Sequence, residues 1–268
     1  MSTMNSDTKK TGRKIILRVA PFISIGILIA LWFIASGDGS GIIASPQEVV
    51  EKIGELTVTP LGGYTLFEHV WASLQRVLIA LACAMVIGIP MGILIGWNKF
   101  FAKTVGTIFE LIRPIPALAW IPLLVAWFGV GEVGRVVLVF LAAMQPIVVN
   151  SYTAIRLIDP LYLDVGRMFN ANTHSQILSS VVLPAAVPTI FAGIRNATSL
   201  SWMVVLAAEM IGAQSGLGFL IIRGTETFDV SLLLSSMIII GVVGALLSVI
   251  TNLIEKRVCP WNTAKKSN

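Results

Sequence analysis

The chain has 268 residues, of which 56% are hydrophobic and only 12% are charged. An ordinary soluble domain is roughly 45–50% apolar and about 25% charged, so this composition excludes a soluble globular protein. Three uncharged runs, at residues 77–97, 136–155 and 232–254, approach or exceed the ~20 residues that cross a bilayer as a helix. Because these runs are apolar on every side, they also exclude a transmembrane β-barrel, whose strands alternate apolar and polar residues. The sequence predicts an all-α polytopic membrane protein.

The net charge of +5 and the two cysteines give further information on the class of protein. The basic residues lie at the ends of the apolar runs, where they are typical of residues that orient membrane spans, so no nucleic-acid partner is expected. Cys83 and Cys259 form no disulfide framework, and a free thiol is expected at each position. Residues 1–14 form a polar basic leader, and no cleavable signal peptide is expected.

Six transmembrane helices are predicted, at residues 15–36, 70–97, 105–128, 135–155, 183–208 and 231–254. The third is the least regular, because Pro114, Pro116 and Pro122 each remove a backbone donor and kink or break a helix. In a membrane such breaks persist only where protein or a water-filled cavity satisfies the freed groups. We therefore expect the third segment to form part of a pathway wall.

Lys and Arg predict the orientation of these spans. One set of span ends holds Lys9, Lys10, Arg13, Lys14, Arg18, Lys99, Lys103, Arg156, Arg167, Lys256, Arg257, Lys265 and Lys266. The opposite ends hold only Lys52, Arg135 and Arg223. Both termini are therefore expected in the cytoplasm, which an even number of spans also requires. The predicted organisation is a cytoplasmic leader (1–14), a first helix (15–36), a periplasmic segment (37–69), a five-helix core (70–257) and a cytoplasmic tail (258–268).

Two connections between the spans are more than turns. On the outer side, residues 45–56 begin with a Ser-Pro pair that is typical of a helix start and predict a short surface helix. On the inner side, residues 159–182 form the longest polar interval facing the cytoplasm. Within it, Leu161, Val165, Met168 and Phe169 recur at helical spacing on one face. We expect another structure to pack on that apolar stripe.

The end of this interval resembles a known cytoplasmic signature. Residues 181–188 are Val-Val-Leu-Pro-Ala-Ala-Val-Pro, similar to the tail of the loop in permease subunits of ABC importers, Glu-Ala-Ala…Gly…Ile-x-Leu-Pro. In that family the two short helices of the loop dock into a groove of the ATPase subunit. Anchored on Leu183 and Pro184, the register places the glycine on Ala171 and Glu-Ala-Ala on Val165, Gly166 and Arg167.

This loop departs from the family pattern in two ways. The acidic residue lies one place early, at Asp164, and alanine stands where the loop glycine is usual. Asn170 and Asn172 flank that alanine, and asparagine tolerates the left-handed conformation better than most residues, so a turn is still expected. The coupling residues that the resemblance implies are Leu161, Asp164, Val165, Gly166, Arg167, Met168, Phe169, Ala171, Asn172, Leu183 and Pro184.

Further motifs resemble the branch of these permeases that takes up nitrate, sulfonates and taurine. They are residues 73–77 (SLQRV), 88–92 (GIPMG), 113–123 (RPIPALAWIPL), 127–132 (WFGVGE), 208–212 (AEMIG) and 216–218 (GLG). The similarity runs from about residue 43 to residue 261. It implies the fold of a type I ABC importer permease in the bacterial inner membrane, with the coupling segment between spans four and five.

The resemblance also implies partners and a substrate class. The chain would translocate a small anion such as a sulfonate, taurine or nitrate, although relatives also carry bicarbonate, phosphorus oxyanions or vitamin precursors. Its partners would be a second copy of itself, two cytoplasmic ABC ATPase subunits and a periplasmic or lipid-anchored solute-binding protein. The sequence contains no Gly-x-x-x-x-Gly-Lys-Ser/Thr loop, so ATP and Mg are expected on the ATPase, with no cofactor and no catalysis in this chain.

Several polar, aromatic and sulfur-containing residues are candidates for the translocation pathway. Charges within spans are costly, so Arg76, Arg113 and Arg195 either line an aqueous cavity or reach the headgroups or helix-end carbonyls. Glu209 is either a gate residue or a marker of the outer interface. The candidate set is Arg113, Trp120, Gln145, Asn150, Trp202, Met203 and Glu209, with side-chain packing and interhelical hydrogen bonds as the alternative.

A stand-alone transporter or channel and an intramembrane enzyme are the two alternative classes of protein. A stand-alone secondary transporter or channel often has internal repeats and ionisable groups near the midplane, and neither a repeat nor a midplane acid–base pair is evident. An intramembrane enzyme needs a nucleophile–base pair or a set of metal ligands. His69 and His174 are expected on opposite sides of the membrane, which excludes a shared metal site between them.

Overall fold

A computed structural model describes residue 20 and residues 23–37, 43–169, 171 and 173–263. Its helices are α1 (Ile23–Ala35), α2 (Pro46–Val58), α3 (Leu66–Trp97), α4 (Lys99–Ile112), α5 (Ala117–Phe128), α6 (Glu132–Arg156), α7 (Pro160–Met168), α8 (His174–Glu209), α9 (Leu217–Glu226), α10 (Val230–Val258) and α11 (Pro260–Thr263). The predicted basic leader at residues 1–14, the end of the predicted tail at residues 264–268 and the predicted coupling residue Asn172 lie outside the described residues.

The predicted all-α membrane fold is confirmed in the part of the chain that the structure describes. Helices α3, α6, α8 and α10 are long and apolar enough to cross a membrane. Helices α4 and α5 pass the same test together, as one broken span or a re-entrant loop, and they are bent by 84°. The described residues therefore hold four or five such spans, against about six predicted for the whole chain. Of the first predicted span, 15–36, the structure describes residue 20 and residues 23–36, which include the apolar helix α1.

The bend between α4 and α5 falls at the proline-rich stretch 113–116. Pro114 and Pro116 have no backbone N–H, so the chain cannot continue a regular helix through them. It re-forms as a short 3₁₀ turn, Ala117–Trp120, which leads into an α-helix. The predicted third span, 105–128, is thus two helices rather than one.

The fifth predicted span, 183–208, starts earlier than expected. Helix α8 begins at His174, where Thr173 and Gln176 form a capping box, and it passes through a short π-helical turn, Leu178–Val182. Residues 174–182 are consequently both the second half of the predicted coupling interval and the first turns of a span. The coupling interval is therefore joined to the span that follows it without a flexible linker.

Small residues bring α3, α6 and α8 into close contact. A Cβ placed on Gly92 of α3 would overlap Ser151 of α6 and would lie 2.8 Å from the Val148 carbonyl oxygen. Between α6 and α8, a Cβ on Gly193 would lie 2.6 Å from the Cβ of Asn150. Such spacing permits the backbones to approach closely, which is how helices pack in lipid without a hydrophobic driving force between them.

The predicted surface helix is α2, which is capped at its start and paired with the start of α10 from its middle. At its start the Ser45 backbone N–H donates to Glu48 (2.8 Å) and the Glu48 N–H donates to the Ser45 hydroxyl (3.3 Å), which is a capping box. Lys52 pairs with Glu55 (2.9 Å) and with Asp229 (3.1 Å), the residue that caps α10. The hydrogen bond to Glu55 raises the pKa of the Lys52 ammonium, although burial opposes that shift. Helix α2 is thereby tied to the start of α10.

Two ends of the bundle are defined here by the residues they hold. The first, called the Glu209 end, holds the starts of α3, α6 and α10 and the C-terminus of α8. The second, called the Gly166 end, holds α7, the C-termini of α3, α6 and α10 and the start of α8. His69 lies in the first turn of α3, and the ring of His174 lies at a tilt against that of Trp97, the last residue of α3, with 4.9 Å between the ring centroids. The two histidines are therefore at opposite ends, as expected.

We predict that Gly92→Ala destabilises the protein by about 1–3 kcal/mol, since the added methyl group has no space between α3 and α6. The matched control is Gly241→Ala on α10, where a Cβ would meet no heavy atom within 4 Å and helix propensity favours alanine by up to about 1 kcal/mol. The free energy of unfolding of purified protein, titrated with sodium dodecyl sulfate, measures both. Equal stability of the two variants would contradict the close α3–α6 contact.

Candidate functional site

A buried ion pair joins α3 to α8 at the Glu209 end. The Arg76 side chain is 6% exposed and the Glu209 side chain is fully buried, and Arg76 Nη1 lies 2.6 Å from Glu209 Oε1. Removing two charges from water costs desolvation free energy, and only close pairing with additional hydrogen bonds compensates for that cost. Ser73 supplies one of these, because its hydroxyl donates to Glu209 Oε2 at 2.8 Å.

Glu132, the first residue of α6, bridges Arg76 to a second arginine. Arg76 Nε and Nη2 donate to its two carboxylate oxygens, each at 2.7 Å. Arg135 Nη1 donates to one of the same oxygens at 2.7 Å, and Arg135 Nη2 donates to the Gly212 carbonyl at 2.8 Å. Arg76 also donates to the Ser215 carbonyl and hydroxyl oxygens, both at 3.0 Å. The cluster therefore ties α3, α6 and α8 to the loop that precedes α9.

The same cluster caps the start of α9. The first N–H groups of a helix have no partner within the helix. Here Gly216 N–H donates to His69 Nδ1 (3.0 Å), Leu217 N–H to Ser73 Oγ (2.9 Å) and Gly218 N–H to Glu209 Oε2 (2.9 Å). A carboxylate at this position also interacts favourably with the helix dipole. Since His69 Nδ1 accepts a hydrogen bond, we assign the ring proton to Nε2, which lies 3.0 Å from the Leu61 carbonyl oxygen.

Only glycine fits at position 216. Its φ is +115°, a conformation that residues with a side chain rarely adopt, and a Cβ there would overlap the Glu209 carboxylate. The loop 210–216 can consequently fold back over Glu209 and seal it from solvent. This close approach of backbone to carboxylate explains why Glu209 is fully buried although it ends a helix.

Sequence reasoning identified the segments of this cluster but not their contact. The motifs at residues 73–77, 127–132, 208–212 and 216–218 were noted separately, and the structure brings all four together. The Arg76 side chain is buried against two carboxylates and also donates to the Ser215 carbonyl oxygen, just before α9. The available signal was one arginine and one glutamate in otherwise uncharged runs of two different spans.

Three candidate pathway residues meet beside the break in the third segment. Arg113, Trp120 and Gln145 line one cavity between the α4–α5 bend and α6. Gln145 Nε2 donates to the Arg113 carbonyl oxygen at 2.6 Å and so satisfies a group that the prolines release from the helix. The guanidinium of Arg113 lies 3.4 Å from Glu110 of the preceding turn, and both side chains are exposed.

The remaining pathway candidates lie elsewhere. Asn150 donates to the Pro146 carbonyl oxygen of its own helix (2.8 Å), and buried Trp202 donates from Nε1 to the Ile240 carbonyl oxygen of α10 (3.2 Å). Met203 is 68% exposed on the face of α8. Glu209 belongs to the buried cluster. The structure therefore does not gather the predicted pathway set around one cavity, and its role in translocation stays a prediction.

The predicted coupling segment carries an uncovered apolar face on α7. Asp159 caps this helix by accepting from the Leu161 N–H at 2.9 Å. Leu161 is 66% exposed, Val165 42%, and Met168 and Phe169 are each 85% exposed. The residues recur at helical spacing, as predicted, and each remains at least 42% exposed in the described part of the chain. Asp164 and Arg167 form an exposed ion pair (3.2 Å) on the same helix.

The turn after α7 positions that face against α8. Ala171 N–H donates to the Gly166 carbonyl oxygen at 3.1 Å, which closes the helix near the position expected from the loop register. Gly166 is buried, and a Cβ there would lie 2.7 Å from Val181 Cγ2 at the start of α8. Beside this contact runs an open groove, which the predicted residues Val165, Phe169 and Pro184 line together with Trp261. Leu183 is half-buried next to Pro184.

Among the residues that the structure describes, no group of three or more His, Cys, Asp or Glu side chains is placed to hold a metal ion. Cys83 and Cys259 are both free thiols, and burial raises the pKa of the Cys259 thiol, which lies just beyond α10. The two features that distinguish this molecule are thus the buried cluster at one end and the exposed apolar face at the other.

The helical bundle carries one short exposed helix, α7, between two of its spans. Residues 84–262 match the family described as binding-protein-dependent transport system inner membrane component. The chain belongs to this family. It is accordingly the membrane component of an ABC importer, a class of transporter in which separate ATPase subunits hydrolyse ATP.

Curated relatives match most of the chain. The taurine transport system permease protein TauC of Escherichia coli is 33% identical over 220 residues, covering 81% of this chain and 79% of that protein. The nitrate import permease protein NrtB of a Synechocystis strain is 34% identical, covering 90% of each chain. The putative aliphatic sulfonates transport permease protein SsuC of Bacillus subtilis is 30% identical, covering 96% of this chain and 92% of that protein.

A solved structure shares the fold. An inward-facing structure of the MetNI methionine ABC transporter matches with a TM-score of 0.63 and 21% identity, covering 72% of this chain and 95% of that chain. At this identity the likeness establishes the arrangement of helices alone. It agrees with the type I importer architecture that the sequence motifs implied.

We predict that Glu209→Ala lowers the free energy of unfolding by about 3–5 kcal/mol, because it leaves Arg76 buried with one carboxylate fewer and removes the cap of α9. The matched control is Glu226→Ala, which breaks a pair with Arg223 whose side chains are 57% and 49% exposed. That control is expected to cost at most about 1 kcal/mol. Unfolding titrations of the purified variants measure both values, and a cost for Glu209→Ala as small as the control's would show that the cluster is not what stabilises this end.

Proposed function

We propose that this chain forms the membrane channel of an importer for a small oxyanion of the sulfonate, taurine or nitrate type. The observation that carries the importer assignment is the uncovered apolar face of α7 beside an open groove, since a transport subunit without its own ATP site needs a surface on which a motor acts. The anion assignment is supported by relatives named for taurine, nitrate and aliphatic sulfonates.

The ATPase docks on α7 and its groove in this proposal. Met168 and Phe169 are the most exposed apolar side chains of the segment, and Trp261 extends the same surface from the C-terminal side of α10. Because Gly166 contacts Val181 in the first turns of α8, a push on α7 is transmitted directly to a span. Large apolar side chains presented together in this way supply the buried centre of an interface.

The remaining parts of the importer follow from the same assignment. Two copies of this chain enclose the pathway, with the cavity at Arg113, Trp120 and Gln145 on each copy's wall. Two ATPase subunits bind ATP and Mg, and a solute-binding protein delivers the anion. The Gly166 end faces the cytoplasm, which is supported by exposed basic residues there: Lys99, Lys103, Arg156, Arg167, Lys256 and Arg257. The Glu209 end then faces the side from which solute arrives.

We predict that Met168→Glu and Phe169→Glu each reduce recovery of the ATPase about tenfold or more in pull-downs from mild detergent, because each buries a charge in an apolar interface. The control is Val58→Glu, an 80% exposed position on α2 at the other end of the bundle. It is expected to leave recovery unchanged. Deleting residues 161–175 tests the segment as a whole, and co-purification of the ATPase with that deletion would refute the coupling assignment.

Uptake by proteoliposomes tests the transport reaction itself. With ATPase, binding protein and ATP present, we expect accumulation of labelled taurine, ethanesulfonate or nitrate, and none without ATP. Accumulation that persists without any ATPase would instead establish a stand-alone transporter. ATP-dependent uptake restricted to uncharged solutes would refute the anion assignment while leaving the importer assignment intact.

A further inference from the structure

Two arginines of the buried cluster share a carboxylate that is itself accessible. The side chains of Arg76 and Arg135 are 6% and 9% exposed, whereas that of Glu132 is 60% exposed. Three charge-assisted hydrogen bonds of 2.7 Å run from the two guanidiniums to the Glu132 carboxylate. The two buried guanidiniums, called the Arg76–Arg135 cradle, thus hold an exposed anionic side chain.

The donors of this cradle are held in place by partners other than Glu132. Arg76 Nη1 donates to Glu209 Oε1 at 2.6 Å, and Arg135 Nη2 donates to the Gly212 carbonyl oxygen at 2.8 Å. Toward Glu132, Arg76 presents the fork of Nε and Nη2 and Arg135 presents Nη1. The planar guanidinium fork matches the geometry of oxyanions, which bind arginine through paired hydrogen bonds.

The two carboxylates of the cluster differ in how easily they can leave. Glu209 is fully buried and also accepts from Ser73 and from the Gly218 N–H, so releasing it would uncap α9 and open the bundle. Glu132 has only guanidinium partners in the structure and sits in the first turn of α6 beside Gly131. A change of its side-chain rotamer is enough to move it out of the cradle.

We propose that the Arg76–Arg135 cradle is an anion-exchange site, where a small oxyanion, such as a sulfonate or nitrate, displaces the Glu132 carboxylate and accepts the three hydrogen bonds that Glu132 accepts now. The exchange keeps the cluster neutral, because one anion replaces another and Glu132 carries its charge into water. The location of this site on the solute-entry side rests on the proposed function. The binding of an anion to it does not require transport.

Ethanesulfonate binding to the full-length chain in nanodiscs tests this proposal, measured by calorimetry at constant ionic strength with chloride as the replaced anion. We expect Glu132→Gln to bind ethanesulfonate about tenfold more tightly than the wild type, since the tethered competitor has lost its charge. Arg135→Lys in the same background should remove the gain, because lysine lacks the fork. Glu226→Gln, in an exposed pair elsewhere, should match the wild type.

Equal affinity of the wild type and Glu132→Gln for ethanesulfonate would overturn the anion site, and so would a gain that survives Arg135→Lys. If Glu132→Gln does not fold, the wild type and Arg135→Lys decide the question. A melting temperature that rises with ethanesulfonate only in the wild type supports the site, and equal rises in both proteins refute it. Ethanesulfonate binding by the isolated chain without anion uptake by the assembled importer would refute the proposed function but support the anion site. Anion uptake without ethanesulfonate binding would refute the anion site but support the proposed function.

Discussion

The burial of Arg76 between α3 and α8 is the constraint on which this end of the molecule depends. A guanidinium that is removed from water must have anionic and carbonyl partners, and Arg76 finds them on three separate elements, at Glu209, Glu132 and Ser215. Any arrangement of these helices that separated Arg76 from these partners would leave its charge buried without compensation. The Glu209 end is therefore specified by electrostatics, whereas the middle of the bundle, with its apolar side chains and close glycine contacts, is specified by shape.

The two ends of the bundle satisfy their polar and apolar groups in opposite ways. At the Glu209 end the charges, the start of α9 and the loop 210–216 complete one another's hydrogen bonds. At the Gly166 end Leu161 and Met168 of α7 and Phe169 just after it remain 66–85% exposed. Helices α3, α6 and α8 connect the ends, and the contacts at Gly92 and Gly193 leave them no space to slide independently. In the proposed importer, a displacement that the ATPase imposes on α7 therefore moves these spans together.

Features that depend on neighbouring residues were predictable from the sequence, and features that depend on distant pairing were not. Composition predicted the all-α membrane fold, and helical spacing predicted the apolar face of α7, because both are local properties. The bend between α4 and α5 followed from prolines that lack a donor. The Arg76–Glu209 pair joins positions 133 residues apart, and spacing within one sequence carries no information on such a distance. Helix α9 was missed for a related reason, since its start is stabilised by side chains of α3 and α8.

The stability of the cluster and its proposed exchange of anions are compatible because they rest on different carboxylates. Glu209 holds Arg76 from the buried side and remains in place when Glu132 leaves, while the Gly212 carbonyl holds Arg135. Both guanidiniums consequently keep their positions during an exchange, and an incoming oxyanion meets donors that are already oriented. Preorganised donors of this kind favour binding because little conformational freedom is lost when the ligand arrives. A cradle held by surface side chains alone would collapse or rotate once its carboxylate left, so the permanent burial of Glu209 is what makes an exchangeable Glu132 possible.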